Sequence, residues 1–328
     1  MSGMHERIKW IDAAKFVAWG GVMTQHVNNL FYYDQRIFKS TWYAVALFII
    51  ISGYLTACSY EKKGAIHIRK RISDLLLTYS IATVLYVFYQ ERFLDVETLF
   101  FHIIHFDASG PFYYIWVYCQ LIIISPILLG ALNWADTEGK KKYLRRTAVL
   151  MAVLFICYFN VTYTSAFKLS SSGGHLGGGI WLFFWYMGMR LKAFLDYEFK
   201  YPKFVFCLNV ILLCIWEYIF IFKDYIMYFP AMFGDTQISG LNWMHALQAI
   251  LVLLIVKSGI ECVKSKNNSI WNIVVRVICL IGKNTLYIFL YHLLFLEIGM
   301  KLWPALRKDF PDLHQHIQAF LPHPLFCM

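Results

Sequence analysis

One apolar stretch, WIDAAKFVAWGGVMTQHV from Trp10 to Val27, carries three ionisable groups: Asp12, Lys15 and His26. Wound as an α-helix, it puts Lys15 and His26 on one face, about three turns and roughly 16 Å apart. Asp12 lies one turn before Lys15, near enough to pair with it. The stripe runs Asp12, Lys15, Trp19, Val22, His26. Taken singly, each group has a plainer account. A lysine near a helix end can extend its ammonium to lipid headgroups, and a histidine near the other end can simply be wet. Their alignment argues for chemistry, because ionisable groups inside a membrane usually face a bundle interior or a cavity. A neutral imidazole with a pKa of about 6.5 can take a hydroxyl proton as the oxygen attacks. A cation on the same line can orient an anionic donor or stabilise developing negative charge.

The elements that position this stripe are membrane helices. The chain of 328 residues is 59% hydrophobic and only 15% charged, against about 25% charged in an ordinary soluble domain. Several apolar runs have the length of a bilayer crossing. Nine are expected, near 10–30, 41–58, 74–90, 112–133, 147–161, 180–195, 204–222, 243–257 and 284–303. The apolar segment 270–281 is too short to span and reads as a half-helix or as part of the last span. No cleavable signal peptide is evident, since Met1 to Lys9 is polar and no small-residue cleavage site follows the first run. The expected fold is an all-α polytopic bundle of about nine or ten membrane helices, a single domain over 1–328 with a short tail from 304.

The net charge of +10 does not point to nucleic acid, because the basic residues sit in short loops between apolar runs. Arg69-Lys70-Arg71 and Lys140-Lys141-Lys142 fall on the same side as Arg7 and Lys9, which makes that side, and the N terminus, cytoplasmic by the positive-inside rule. The far-side loops 91–111, 162–179 and 223–242 are long. The glycines of LSSSGGHLGGG in the second lack the strand context of a phosphate cradle. Eight cysteines are scattered mostly in apolar segments, with no CxxC and no metal-ligand spacing, so no metal is expected.

The order of blocks along the chain resembles the acyltransferase-3 family of integral-membrane acyltransferases. WIDAAKFVAWGGVMTQH matches its opening motif, with Lys15 where the family normally has arginine. LFIIISGYL (Ser52, Gly53), IRKRISDLLLTYSI, YYIWVYCQLIIISPIL (Trp116, Pro126), FFWYMGMRL (Gly188) and IGKNTLYIFLYHLLF (His292) follow in the family's order. Two departures stand out. Lys15 lacks the bidentate fork of arginine, and no spanning run follows Trp303 where the family usually has a further helix.

The resemblance implies acyl transfer, most often of acetyl, from cytoplasmic acyl-coenzyme A to a hydroxyl of an extracytoplasmic glycan or lipid-linked sugar. It makes His26 the general base, with an acyl-histidine intermediate as a variant, and Lys15 its donor-side partner. Asp12, Trp116 and His292 are supporting residues, and Arg69, Lys70 and Arg71 are candidates for the coenzyme phosphates. His292 also has a plain reading as a hydrogen-bonded core histidine. His102 and His105, facing Trp116, are candidate liners of an acceptor site. The partners so implied are acyl-coenzyme A, the acceptor, membrane lipids and, optionally, a second copy in a homodimer. The setting that the resemblance implies is a bacterial plasma membrane. The competing reading is a proton- or ion-coupled transporter using Asp12, Lys15 and His26 as a relay, although no repeat symmetry or paired half-helices accompany them.

Overall fold

A computed structural model describes residues 9–31, 34–92, 95–163, 177–222, 243–264 and 269–309. Every regular element among them is helical. In chain order these are α1 (Lys9–Phe31), α2 (Gln35–Ser40), α3 (Tyr43–Lys63), α4 (Ile68–Glu91), α5 (Val96–His105) and α6 (Tyr113–Asp136). Then come α7 (Lys142–Tyr163), α8 (Trp181–Arg190), α9 (Lys192–Leu195), α10 (Pro202–Glu217), α11 (Trp243–Lys264), α12 (Ser269–Lys283) and α13 (Thr285–Asp309). A π-helical turn, Tyr218–Phe222, extends α10. His175 and the tail 310–328 lie outside the described residues.

Local chemistry sets several of the boundaries. α3 stops at Gly64, whose φ of 67° is a left-handed conformation that a glycine adopts without strain, and its N–H closes on Tyr60 O at 2.7 Å. The Asp95 carboxylate accepts the Thr98 N–H at 2.9 Å and starts α5. The buried Asn28 amide bonds both the N–H and the C=O of Asp34, which turns the chain from α1 into α2.

Seven helical stretches among the described residues are long and apolar enough to cross a membrane. They are α2 with α3, α4, α6 with its leading turn, α7, α10, α11 and α13. The protein is an all-α polytopic bundle. Two of the nine expected spans differ in kind. α1, at 23 residues, has the length of a span but is outside that set because its polar stripe lowers its hydropathy. The segment 180–195 is not one continuous helix but α8 followed by α9. α8 has ten residues, about 15 Å of helix, half of a hydrocarbon core. It is tolerated because protein rather than lipid surrounds it: nearly every side chain from Trp181 to Met189 is buried. The segment 270–281 forms the separate α12. It breaks at Asn284, where the Thr285 hydroxyl donates to Gly282 O and the Ile288 N–H to Asn284 O. α13 then runs through Pro304 to Asp309, past the expected start of the tail.

α8 is the post of the bundle, packed on α3, α6 and α7. Its contact with α3 uses glycine from both sides. A Cβ on Gly53 would strike the Trp185 carbonyl, and one on Gly188 would strike the Ile50 carbonyl. The Trp185 indole N–H donates to Ser125 Oγ of α6 at 3.0 Å. α1 lies against α12 in the same manner, with Gly282 on the Asp12 carbonyl, and against α3 at Gly21, where a Cβ would fall 2.8 Å from Ala44 Cβ.

At the basic end of the bundle, Asp136 holds Arg146 at 2.7 Å and also Arg190, joining α6, α7 and α8. Lys192 bridges Glu61 and Asp196, and the Tyr54 hydroxyl donates to Asp196 at 2.7 Å. Burial works against the Lys192 charge, but its hydrogen bonds to Asp196 and Glu61 outweigh it and hold the ammonium above its usual range.

Gly188→Ala is expected to lower the thermal melt of detergent-purified protein by several degrees or to prevent folding, since overpacking costs about 1–3 kcal/mol or more. Gly130→Ala, with open space around its Cβ, serves as the control and keeps the melt or raises it slightly. Equal melts for the two variants would contradict the close α3–α8 contact.

Candidate active site

α1 enters the bundle with Asp12 buried (3% exposed) against α12 and with Lys15 and His26 only partly covered. Lys15 faces a cavity of about 430 Å³. Arg71, in the first turn of α4, faces the same space and donates to Thr56 Oγ1 at 3.0 Å. Hydroxyls from three more elements line it: Ser52 and Thr56 on α3, Tyr114 and Tyr118 on α6, and Thr285 at the start of α13. The Tyr114 and Tyr118 rings are 6.0 Å apart and face the space beside Ser52. Leu55, Leu75, Leu286 and Phe48 complete the wall, with Asp74 and Thr78 on α4. The result is a half-polar chamber at the basic end, carrying two cations.

Three helices agree on what lies beyond it. On α1 the order is Lys15, Val22, His26; on α13 it is Thr285, Phe289, His292; on α3 it is Ser52, Phe48, Ala44. Val22, Ala44 and Phe289 form a buried apolar cluster with Phe48 and Tyr114 packed on it. The Tyr114 and Phe289 rings are 5.2 Å apart, and the Phe48 ring lies 6.4 Å from each. A single apolar layer, about one helical turn thick, therefore separates the chamber from the histidines.

Beyond the layer, His26 and His292 meet, their ring centroids 4.9 Å apart. His292 is buried (4% exposed), and its Nδ1 lies 2.6 Å from Phe289 O. A carbonyl only accepts, so Nδ1 carries the hydrogen. The Nε2 of His292 is buried with no partner among the described residues.

The structure brings Lys15 and Arg71 together in the chamber and pairs His26 with His292. It leaves Arg69 and Lys70 exposed at the basic end, beside the chamber rather than in it. Lys142 is tied to Glu138 at 2.6 Å. Trp116 is not a wall of the chamber; it packs on Phe106 at 5.5 Å, under α5. His102 bonds Asp107 at 2.7 Å, and His105 lies 2.8 Å from Phe101 O. Ser52 with Thr56, and Tyr114 with Tyr118, were not among the expected site residues. Their signal was present as two polar pairs at i,i+4 spacing, each on one face of an otherwise apolar helix. Among the described residues no group of three or more His, Cys, Asp or Glu side chains is placed to hold a metal ion.

In a variant without the native cysteines, a cysteine at Ser52 is expected to react with a water-borne maleimide in detergent. One at Val22 is expected to stay unreacted until the protein is denatured. Equal labelling of the two would show the layer to be open.

No curated protein and no solved structure is significantly similar to this chain. The family described as an acyltransferase domain matches it over residues 8–327, nearly the whole chain. That range takes in the α1 stripe, the chamber and both histidines. Nucleophile activation by an imidazole, next to a chamber with cations and hydroxyls, is chemistry that acyl transfer can use. The chain belongs to the acyltransferase-3 family and is a membrane acyltransferase.

Proposed function

We propose that the protein takes an acyl group, in the first place acetyl, from acyl-coenzyme A on the cytoplasmic side and passes it to a hydroxyl of a glycan or other envelope acceptor on the far side. The observation that carries this reading is the pairing of a basic, hydroxyl-lined chamber with a histidine one thin layer beyond it. The chamber lining suits a flexible donor arm that alternates amides with methylenes. Amides find Ser52, Thr56 and the two tyrosines, while the carbon chain lies along Leu55, Leu75 and Leu286. Arg71 at the basic end, with Arg69 and Lys70 outside, draws the phosphates, which hydrocarbon excludes. The basic end is then cytoplasmic, as the loop charges suggest.

An acceptor hydroxyl bonds a ring nitrogen of His26, which takes its proton as the oxygen attacks the thioester carbonyl. The carbon–sulfur bond breaks, and the thiolate leaves with the proton returned from His26. The products are the acyl ester and free coenzyme A. Lys15, in the chamber, keeps the donor in place.

In purified enzyme, His26→Ala is expected to reduce acyl-coenzyme A turnover by about 10²–10⁴-fold with the thermal melt unchanged; turnover near wild type would remove His26 from the base role. Lys15→Arg should keep activity, while Lys15→Ala should raise KM for the donor or lower kcat. An alanine variant with unchanged constants would leave Lys15 only its contact with headgroups. A single cysteine at Ser2 should resist an impermeant maleimide in intact cells and react once the membrane is opened. Labelling in intact cells would reverse the assigned sides.

A further inference from the structure

The Nε2 of His292 is an anomaly that acyl transfer by His26 alone does not use. A buried acceptor without a donor costs about 1–3 kcal/mol, and the fold holds this one firmly. The Nδ1–H bond to Phe289 O fixes the tautomer, so in the neutral ring Nε2 bears a lone pair. That ring lies on Phe289 at 5.6 Å and is almost fully enclosed. Its other imidazole neighbour is His26, which makes no hydrogen bond to any described residue and is only partly buried. One imidazole is thus locked with an unspent acceptor, and beside it is another, partly buried, whose nitrogens make no hydrogen bond among the described residues.

We propose, resting on the acyl-transfer reading above, that His292 is the positioning residue of His26. Rotation of the His26 ring about its Cβ–Cγ bond brings one of its N–H groups to His292 Nε2. The centroid separation is short enough for such a turn without movement of either helix. That bond fixes the His26 tautomer and leaves the other nitrogen bare towards the acceptor hydroxyl. When His26 takes the hydroxyl proton, the imidazolium keeps its hydrogen bond to a neutral acceptor, and His292 itself neither gains nor loses a proton. The chain from the Phe289 carbonyl through His292 to His26 is a base held by a third group, the general logic of activated nucleophile systems. It also ties the base to Phe289, the residue whose side chain closes the chamber.

Two substitutions separate this role from simple packing. His292→Asn keeps an amide N–H near the position of Nδ1 and removes the distant acceptor; His292→Gln places an oxygen near the position of Nε2. With both proteins folded by thermal melt, the asparagine variant is expected to lose about 100-fold in kcat with KM for acyl-coenzyme A unchanged. The glutamine variant is expected to stay within about tenfold of wild type. Nitrogen-15 NMR of histidine-labelled protein should show one His26 tautomer in wild type and in the glutamine variant, and a mixture in the asparagine variant. An asparagine variant as fast as wild type, a glutamine variant no better than asparagine, or a His26 tautomer unaffected by either substitution would overturn the proposal. The NMR readout does not depend on turnover. If wild type consumed no acyl-coenzyme A while the tautomers behaved as expected, the donor assignment would fail and the histidine pair would stand.

Discussion

Helices in a membrane gain little from hiding apolar side chains, because lipid is as apolar as they are; they hold together through close backbone approach. In this protein that approach is made by glycine. Gly53 and Gly188 let α3 and α8 interlock, and Gly282 sets α12 on the carbonyl of Asp12. The chemistry depends on these contacts. α3 brings Ser52, Thr56 and Phe48 to the chamber, and α1 brings Lys15 to it and sets His26 beyond the layer. If α3 stood a methyl group further from α8, or α1 from α12, the wall and the stripe would no longer share one space.

The same constraint accounts for the short α8. A ten-residue helix cannot satisfy both faces of a bilayer, so it must be enclosed by protein, and it is. Enclosure in turn makes it a platform. The Trp185 indole anchors Ser125 of α6, the helix that carries Tyr114 and Tyr118. The ion cluster of Asp136, Arg146 and Arg190 closes its basic end. Packing, hydrogen bonds and charge each hold a different part of α8 against its neighbours.

Much of this was legible in the sequence. The α1 stripe could be read from helical periodicity, because Asp12, Lys15 and His26 belong to one element. The helical class and most of the spans followed from apolar length. The break at Arg190–Leu191 was hidden, since 180–195 is apolar enough to pass for a span and nothing local marks the turn. The layer of Val22, Phe48 and Phe289 was also hidden; apolar residues in an apolar helix carry no label for what they divide. His292 was visible as a residue but not as a partner. Its meeting with His26 depends on how α13 packs beside α1, a tertiary fact that no local pattern encodes. Trp116 stood out by its size, and its place under α5 reflects packing against Phe106.

The thinness of the apolar layer has an electrical side. Where water reaches in from both faces, a membrane voltage no longer falls across the full hydrocarbon thickness; it falls across the short dry stretch that remains. An elementary charge moved through 100 mV exchanges about 2.3 kcal/mol; on the proposed reading that work is concentrated within about one helical turn around Val22 and Phe289. On the proposed reading the donor's phosphates stay on the basic flank, and a neutral acyl group passes without electrical work. In the proposed direction the hydroxyl proton returns to the thiolate in exchange for the acyl group, so each turnover carries no net charge. In that reading the three rings and one valine let a catalyst that works across a membrane operate without short-circuiting it.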